Sequence, residues 1–327
     1  MSEALRTDQN SLEKRYRIET LDITGTPAEQ MSGKSIDVVD VHPYHQKDDV
    51  PTLWAPAWAC TLPVYKLAIT ELAKLGRRVI SLDHPRFGGS FSSAPSDESM
   101  KDYPQTQLRK ALNILAVLEK KGIEKTDVIA HSEGAINTVI AAALQPEKFR
   151  NIVLYAPAGM TGDDTFMRLL KGFASQGQPR PTMNKLNVSA EERAAAEREG
   201  RTIAAYEELP ISDEKETSDA ANKAAPRYVL KNPLRALREG LDMSHFRIDE
   251  LVRYLHQEKG VGFVIMSAVD DPVFKTETMQ KMVDARMLNG FVTVRGGHGD
   301  IGGHPELYVG GAEYLLTQMA STAGTSA

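Results

Sequence analysis

The sequence predicts an α/β fold: a doubly wound, mostly parallel sheet interrupted by an inserted helical segment. Three observations lead there. From about residue 52 to 159, short apolar segments of strand composition alternate with stretches of helical periodicity. Over residues 160–259 that alternation stops, and the chain becomes polar and helix-rich. From residue 260 it resumes and continues close to the C-terminus. The expected organisation is therefore a polar N-terminal arm (1–15), an α/β core (16–159 and 260–327) and a helical cap insertion (160–259).

Residues 1–15 carry no core-forming pattern. Tyr16–Ile23 and Ser35–Val41 alternate apolar and polar side chains, as half-buried strands do. TLWAPAWA is a short apolar strand running into a Pro/Ala loop. LPVYKLAITELAKLG then switches to helical spacing and stops at Gly76, a residue suited to the left-handed turn after a helix. RRVISLD follows as a strand, Asp102–Lys121 as a helix closed by Gly122, and DVIAHS as a strand. EGAINTVIAAAL is an apolar helix and NIVLYAPAG a strand.

Parallel strands joined by helices cross over right-handedly, which limits the topology to doubly wound arrangements. Within the insertion, SAEERAAAEREGRTIAAYEEL opens with Ser189 and has Glu191 and Glu192 in its first turn, favourable helix-start chemistry. NPLRALREGLDMSHFRIDELVRYLHQ is a further helical stretch. The core returns with VGFVIMSAVDD, TETMQKMVDARML, GFVTVRGG and a last helix, PELYVGGAEYLLTQMA.

Composition excludes several function classes. The 327 residues carry a formal net charge of -5, with no basic excess to neutralise a phosphate backbone, so nucleic acid is not expected as a partner. Cys60 is the single cysteine, which rules out an intrachain disulfide and argues against a thiolate metal site. Its expected role is packing rather than thiol chemistry. His42 and His45 with Asp48 and Asp49 read as solvated loop residues rather than metal ligands. The polar start lacks a secretory apolar stretch, and no apolar run reaches the roughly 18–20 residues that span a bilayer, so a cytoplasmic protein is expected. Neither a phosphate-binding G-x-x-x-x-G-K-[ST] nor a dinucleotide fingerprint is present, and no cofactor is expected.

The chemistry concentrates around DVIAHSEGAINTVIAAAL. A buried-type strand ends in Ala130-His131-Ser132-Glu133-Gly134 and passes directly into an apolar helix. Such a turn lifts a serine hydroxyl clear of the sheet, and the helix start behind it presents unpaired N–H groups and a positive dipole end. A serine hydroxyl needs a base, itself oriented by a third group. His131 lies within the turn and cannot reach back onto its neighbour. His304 precedes Pro305 and suits a helix start. His298, in RGGHGDIGG after the last strand, sits at a strand's C-terminal edge, where catalytic groups collect in parallel sheets. The acid belongs on the loop after the preceding strand, which offers Asp270 and Asp271. Asp271, directly before Pro272, is preferred, with Asp270 as its rival.

Four segments together resemble the α/β-hydrolase superfamily: LDHPRFGGS at Leu82–Ser90, the A-H-S-E-G elbow, the DDPVF loop and the GGHGDIGGHPEL close. Ala130 replaces the first glycine of the usual G-x-S-x-G and is small enough for that place. The resemblance implies a Ser132–His298–Asp271 triad. It also implies an oxyanion site formed by two backbone N–H groups: Glu133, after the nucleophile, and Trp58, in a Pro-Ala-Trp loop standing where a His-Gly pair is usual. Serine at the elbow sets aside the dehalogenase and epoxide hydrolase branches, which use aspartate.

The implied activity is hydrolysis of a small to medium carboxylic ester with an apolar part. The alternatives are C–C bond hydrolysis, perhydrolysis or acyl transfer on the same triad, or ligand binding without turnover. Met160, Phe166, Met167, Met243 and Phe246 are candidates either to line an apolar pocket or to pack the insertion onto the core. Trp54 and Trp58 share that ambiguity, and the destination of Glu133 stays open.

Overall fold

The computed structural model describes residues 12–85, 100–162, 164–175, 227–283, 286–294, 296–303 and 305–324. Eight strands form one sheet: β1 (Glu19–Asp22), β2 (Ser35–Val41), β3 (Thr52–Ala55), β4 (Val79–Asp83), β5 (Thr126–His131), β6 (Phe149–Tyr155), β7 (Gly262–Ala268) and β8 (Gly290–Val294). Their order is β1-β2-β4-β3-β5-β6-β7-β8. β1 and β2 are antiparallel to their neighbours, and every pairing from β4 through β3 to β8 is parallel.

The longer helices among the described residues are α1 (Lys66–Lys74), α2 (Gln105–Lys120), α3 (Glu133–Leu144), α4 (Phe166–Ala174), α5 (Pro233–His245), α6 (Asp249–Lys259), α7 (Thr276–Met282) and α8 (Pro305–Gly324). Because side chains alternate across a strand, the central strands feed two cores. Leu53, Val128, Ala130, Ile152, Leu154 and Ile265 face α2, α3 and α6. Trp54, Ile129, Val153, Tyr155 and Met266 face α1 and α8. This double burial explains why the central strands read as apolar runs while β2, with its pattern of exposed Asp37 and buried Val38, reads as alternating.

Local chemistry trims several expected boundaries. The first strand shortens to Glu19–Asp22, while Tyr16 turns away and donates its hydroxyl to Leu62 O. The helix expected from Asp102 starts at Gln105, because Pro104 takes the N-cap position in an extended conformation. The long helical stretch after Asn232 divides into α5 and α6, since Phe246 is extended and Ile248 N–H donates to Gly159 O. α6 lies against α3 and β7 and buries Val252 and Leu255 in the sheet's own core.

The helix expected from Ser189, residues 86–90 of the LDHPRFGGS segment and His304 lie outside the described residues. Among the described residues no helix is long and apolar enough to cross a membrane.

At the sheet edge where β5 begins, Arg77 is 2% exposed and donates to Asp127, which Arg150 also contacts; Asp48 joins both arginines. Asp48 is thus part of an ion network rather than a solvated loop residue. The loop between β2 and β3 thus reaches Arg77 and Arg150, a placement its sequence does not signal.

Candidate active site

Ser132 joins β5 to α3 with φ 54° and ψ -118°, a left-handed conformation that a serine adopts only under constraint. Three backbone hydrogen bonds supply it: Ser132 N–H donates to Tyr155 O at 3.0 Å, and Ser132 O accepts from Ala135 N–H at 3.0 Å and Ala158 N–H at 3.1 Å. Gly134 permits the tight passage into α3. A Cβ there would lie 2.4 Å from Ala55 O and 2.9 Å from Pro56 O, both backbone atoms that cannot swing aside. Ala130, fully buried, occupies the place of the usual first glycine without strain.

The loop after β8 carries His298 over the elbow. His298 Nε2 lies 2.9 Å from Ser132 Oγ, and Nδ1 lies 2.8 Å from Asp271 Oδ2. Asp271 Oδ1 accepts from the N–H groups of Val273 and Phe274, so both its oxygens are engaged. Asp270 points elsewhere: its carboxylate faces Gly296 N–H at 3.4 Å. Gly296 has φ 102°, and a Cβ on it would meet Tyr308 Oη at 2.1 Å, which explains the glycine at that bend. Of the two aspartates, Asp271 is the one that reaches the histidine.

His131, excluded as a base from its position, has a different place. Its Nε2 lies 2.8 Å from the backbone carbonyl of His298, and its Nδ1 lies 2.7 Å from Tyr65 Oη. Burial, reinforced by neighbouring His298, holds its pKa well below the ordinary histidine range. A neutral ring suits both contacts: Nε2–H donates to the carbonyl and Nδ1 accepts from the tyrosine hydroxyl. That hydroxyl in turn accepts from Ala57 N–H at 3.1 Å. One chain of hydrogen bonds therefore links the loop after β3, the elbow and the His298 loop.

Glu133 is buried and paired. Lys110 Nζ lies 2.7 Å from each of its oxygens, and Gln107 Nε2 donates at 2.9 Å. Burial raises its pKa against the pull of Lys110. Glu239 of α5 joins the same cluster. Although burial alone would raise its pKa, Lys110 and Arg235, with hydrogen bonds from Tyr228 and Arg235, hold it below the usual carboxylate range.

The Trp58 indole donates to Glu239 Oε2 at 3.0 Å, and its ring meets Phe173 at 5.5 Å and Tyr228 at 5.9 Å. Trp58 thus faces Phe173 of α4, Tyr228 and Glu239 of α5, whereas Trp54 is sealed in the sheet against Tyr65. A cavity of about 320 Å³ lies beside this loop, lined in part by Ala57, Cys60, His84, Glu133 and Glu239. Burial pushes the Cys60 thiol up to about 11, which keeps it protonated and unreactive.

The apolar candidates of the insertion are mostly packing residues. Met160 and Met243 are buried in the core, and the Phe166 ring lies against Gly240. Phe246 meets Tyr103 edge-on. Met167 is 71% exposed. Phe173, which sequence reasoning did not single out, places its ring 5.8 Å from that of His298, and Phe274 does so at 5.3 Å.

Lys110 and Glu239 also escaped notice. A signal existed in α2, where Gln107, Lys110 and Asn113 recur three apart along one face and are all buried. A polar stripe inside an otherwise apolar helix face announces an interior partner.

Comparisons with known proteins bear on the fold that carries this geometry. No curated protein matches the chain in sequence. Among solved structures, an esterase from a Rhodococcus species superposes with a TM-score of 0.58 at 19% identity, covering 93% of this chain and 99% of the esterase. A bacterial membrane phospholipase A superposes with a TM-score of 0.58 at 16% identity, covering 97% and 90%. A meta-cleavage product hydrolase from Pseudomonas fluorescens does so at 0.55 and 15% identity, covering 95% and 99%. At these identities the likeness speaks to the fold.

The family model described as alpha/beta hydrolase fold matches residues 58–305, from the loop after β3 to the start of α8. That match spans most of the sheet and every residue of the elbow, and with it the chain belongs to the alpha/beta hydrolase fold family.

Proposed function

We propose that the protein is a serine hydrolase that cleaves a small to medium carboxylic ester through an acyl-enzyme. The observation that carries the reading is the unbroken hydrogen-bond relay from Ser132 Oγ through His298 to Asp271, with distances of 2.9 and 2.8 Å. His298 takes the hydroxyl proton as Ser132 attacks the carbonyl, and Asp271 fixes the tautomer and stabilises the imidazolium. The same imidazolium then protonates the leaving alcohol, and water repeats the attack on the acyl-enzyme.

Negative charge on the attacked oxygen is held by the N–H groups of Glu133 and Trp58. Glu133 opens α3, where the first N–H groups have no helical partner. In the loop after β3, Ala57 N–H is already committed to Tyr65 Oη and Cys60 N–H to Ala57 O, and the family pattern gives the role to Trp58. Each such donor contributes about 3–4 kcal/mol to the transition state in comparable sites.

The part of the insertion before α6 serves as a cap. Its Phe173 and Tyr228 rings meet Trp58 above the elbow, forming an apolar wall beside the reacting centre. That wall supports an ester with an apolar part as the substrate. Labelling with a fluorophosphonate probe and peptide mapping test the reading directly: Ser132 is the expected site, and Ser132→Ala is expected to remove both labelling and p-nitrophenyl ester turnover. A folded Ser132→Ala protein that still turns over ester would dismiss Ser132 as the nucleophile. A panel that includes a vinylogous diketone separates ester from C–C bond hydrolysis.

A further inference from the structure

Both residues assigned here to the oxyanion hole are tied, through their side chains, to one carboxylate on the insertion. The Trp58 indole N–H donates to Glu239 Oε2. Glu133 is joined to Glu239 through Lys110, whose Nζ lies 2.7 Å from each Glu133 oxygen and 3.5 Å from Glu239 Oε1. Glu239 is 1% exposed and is held in turn by Tyr228 Oη at 2.7 Å and Arg235 Nε at 3.0 Å.

From this arrangement we infer that Glu239 is a positioning residue for the proposed reaction: it holds the Trp58 loop so that the Trp58 N–H faces the oxyanion. The inference rests on the serine hydrolase reading above. Three facts argue for it. The loop is short and follows directly from β3, and Ala59, next to Trp58, is in the left-handed region at φ 64°. A backbone bent in that way is costly for a residue with a side chain and persists only where its surroundings impose it. The surroundings of the Trp58 ring include three groups from the insertion, Phe173, Tyr228 and Glu239, and of these only Glu239 supplies a directional bond.

Ionised acceptors make the shorter and stronger hydrogen bonds, so a carboxylate fixes the indole more firmly than an amide does. The same carboxylate stands near Lys110, Arg109 and Arg235, and Lys110 is the cation that anchors Glu133. Apolar clusters of similar volume often serve stability as well as buried ion pairs do. The charge and the indole bond therefore call for a role beyond packing. The consequence is a coupling: the oxyanion site is complete only when α5 is seated on the core.

The test compares Trp58→Phe and Glu239→Gln with the unaltered protein. Trp58→Phe keeps an aromatic ring and the charge cluster but removes the indole donor. Each variant is assayed for kcat and KM with a p-nitrophenyl ester. Affinity is measured for a trifluoromethyl ketone, which forms a tetrahedral adduct with the nucleophile, and for an ether isostere, which does not.

The expected result for Trp58→Phe and Glu239→Gln is a loss in kcat of about tenfold or more, since removal of a donor outright costs about 10²–10³. Trifluoromethyl ketone affinity should fall in parallel, while KM and ether affinity stay within about twofold. A Trp58→Phe protein with kcat within about twofold of the original, still labelled at Ser132, would overturn the inference and leave the hydrolase reading standing. Parallel loss of ether and trifluoromethyl ketone affinity would overturn it too, by showing a binding effect alone. If Glu239→Gln does not fold, Trp58→Phe decides. If the unaltered protein is not labelled at Ser132, the hydrolase reading falls first and the positioning role with it.

Discussion

His131 Nε2 lies 2.8 Å from the backbone carbonyl of His298, so the residue before the proposed nucleophile holds the loop that carries its partner. Burial together with His298 holds the His131 pKa well below the ordinary histidine range, so the ring stays neutral although the carbonyl contact itself favours the protonated form. In the unfolded chain the same histidine titrates near 6.5.

A pH dependence of stability follows from that difference. Below about pH 6.5 the unfolded state binds a proton that the folded state refuses, so stability falls as pH falls, by up to about 1.4 kcal/mol per pH unit. Urea midpoints at pH 7, 6 and 5 should decrease in that order. His131→Gln cannot titrate, and its midpoints should fall less steeply. Parallel curves for the two proteins would show that His131 is not held neutral.

The elbow makes a steric prediction. At Gly134 an added Cβ meets only backbone atoms of Ala55 and Pro56, none of which can rotate away. Gly134→Ala should cost about 3 kcal/mol or more, at the upper end of overpacking effects, and should displace the loop leading to Trp58. Chemical denaturation measures the first effect and ester turnover the second. A stability loss within experimental error would mean that α3 can shift away from β3.

Asp271 and Asp270 are separable by rate. Replacing the buried carboxylate on His298 with an amide leaves the wrong histidine tautomer favoured, and Asp271→Asn should lower kcat by about 10⁴-fold. Asp270→Asn, altering a group that faces Gly296 rather than the ring, should leave kcat within about tenfold. Equal losses would assign the acid's role to the loop as a whole.

At the other end of β5, Asp127 is fully buried between Arg77 and Arg150. Asp127→Ala strands Arg77 without its closest buried partner and should cost about 3–5 kcal/mol. Because Asp127 lies near the start of β5 and Ser132 follows its other end, kcat/KM of the folded fraction should be unchanged. Thermal melts paired with kinetics at low temperature check both halves, and a kinetic defect would reveal strain carried along β5.

Much of this protein was legible because its signals are local. The strand–serine–helix junction at 126–144 is a contiguous pattern, and the period of apolar residues distinguishes a strand buried on both faces from a helix within a few positions. The order Ser132, Asp271, His298 was likewise readable, since each stands just after a strand and parallel strands present those ends on one side of the sheet.

Partners distant in sequence were not legible. Asp270 and Asp271 differ by one residue of register, and only the folded loop turns one toward His298 and the other toward Gly296. Glu133 had no readable destination, because Lys110 approaches from a neighbouring helix. Glu239 lies 181 positions from Trp58, and no periodicity spans such a gap. Sequence by itself determined the order of the elements and the residue types at the strand ends, since backbone preference and burial period act over a few residues. Only the tertiary structure decided which charges meet, because a buried ion is placed by whatever the chain brings against it from afar.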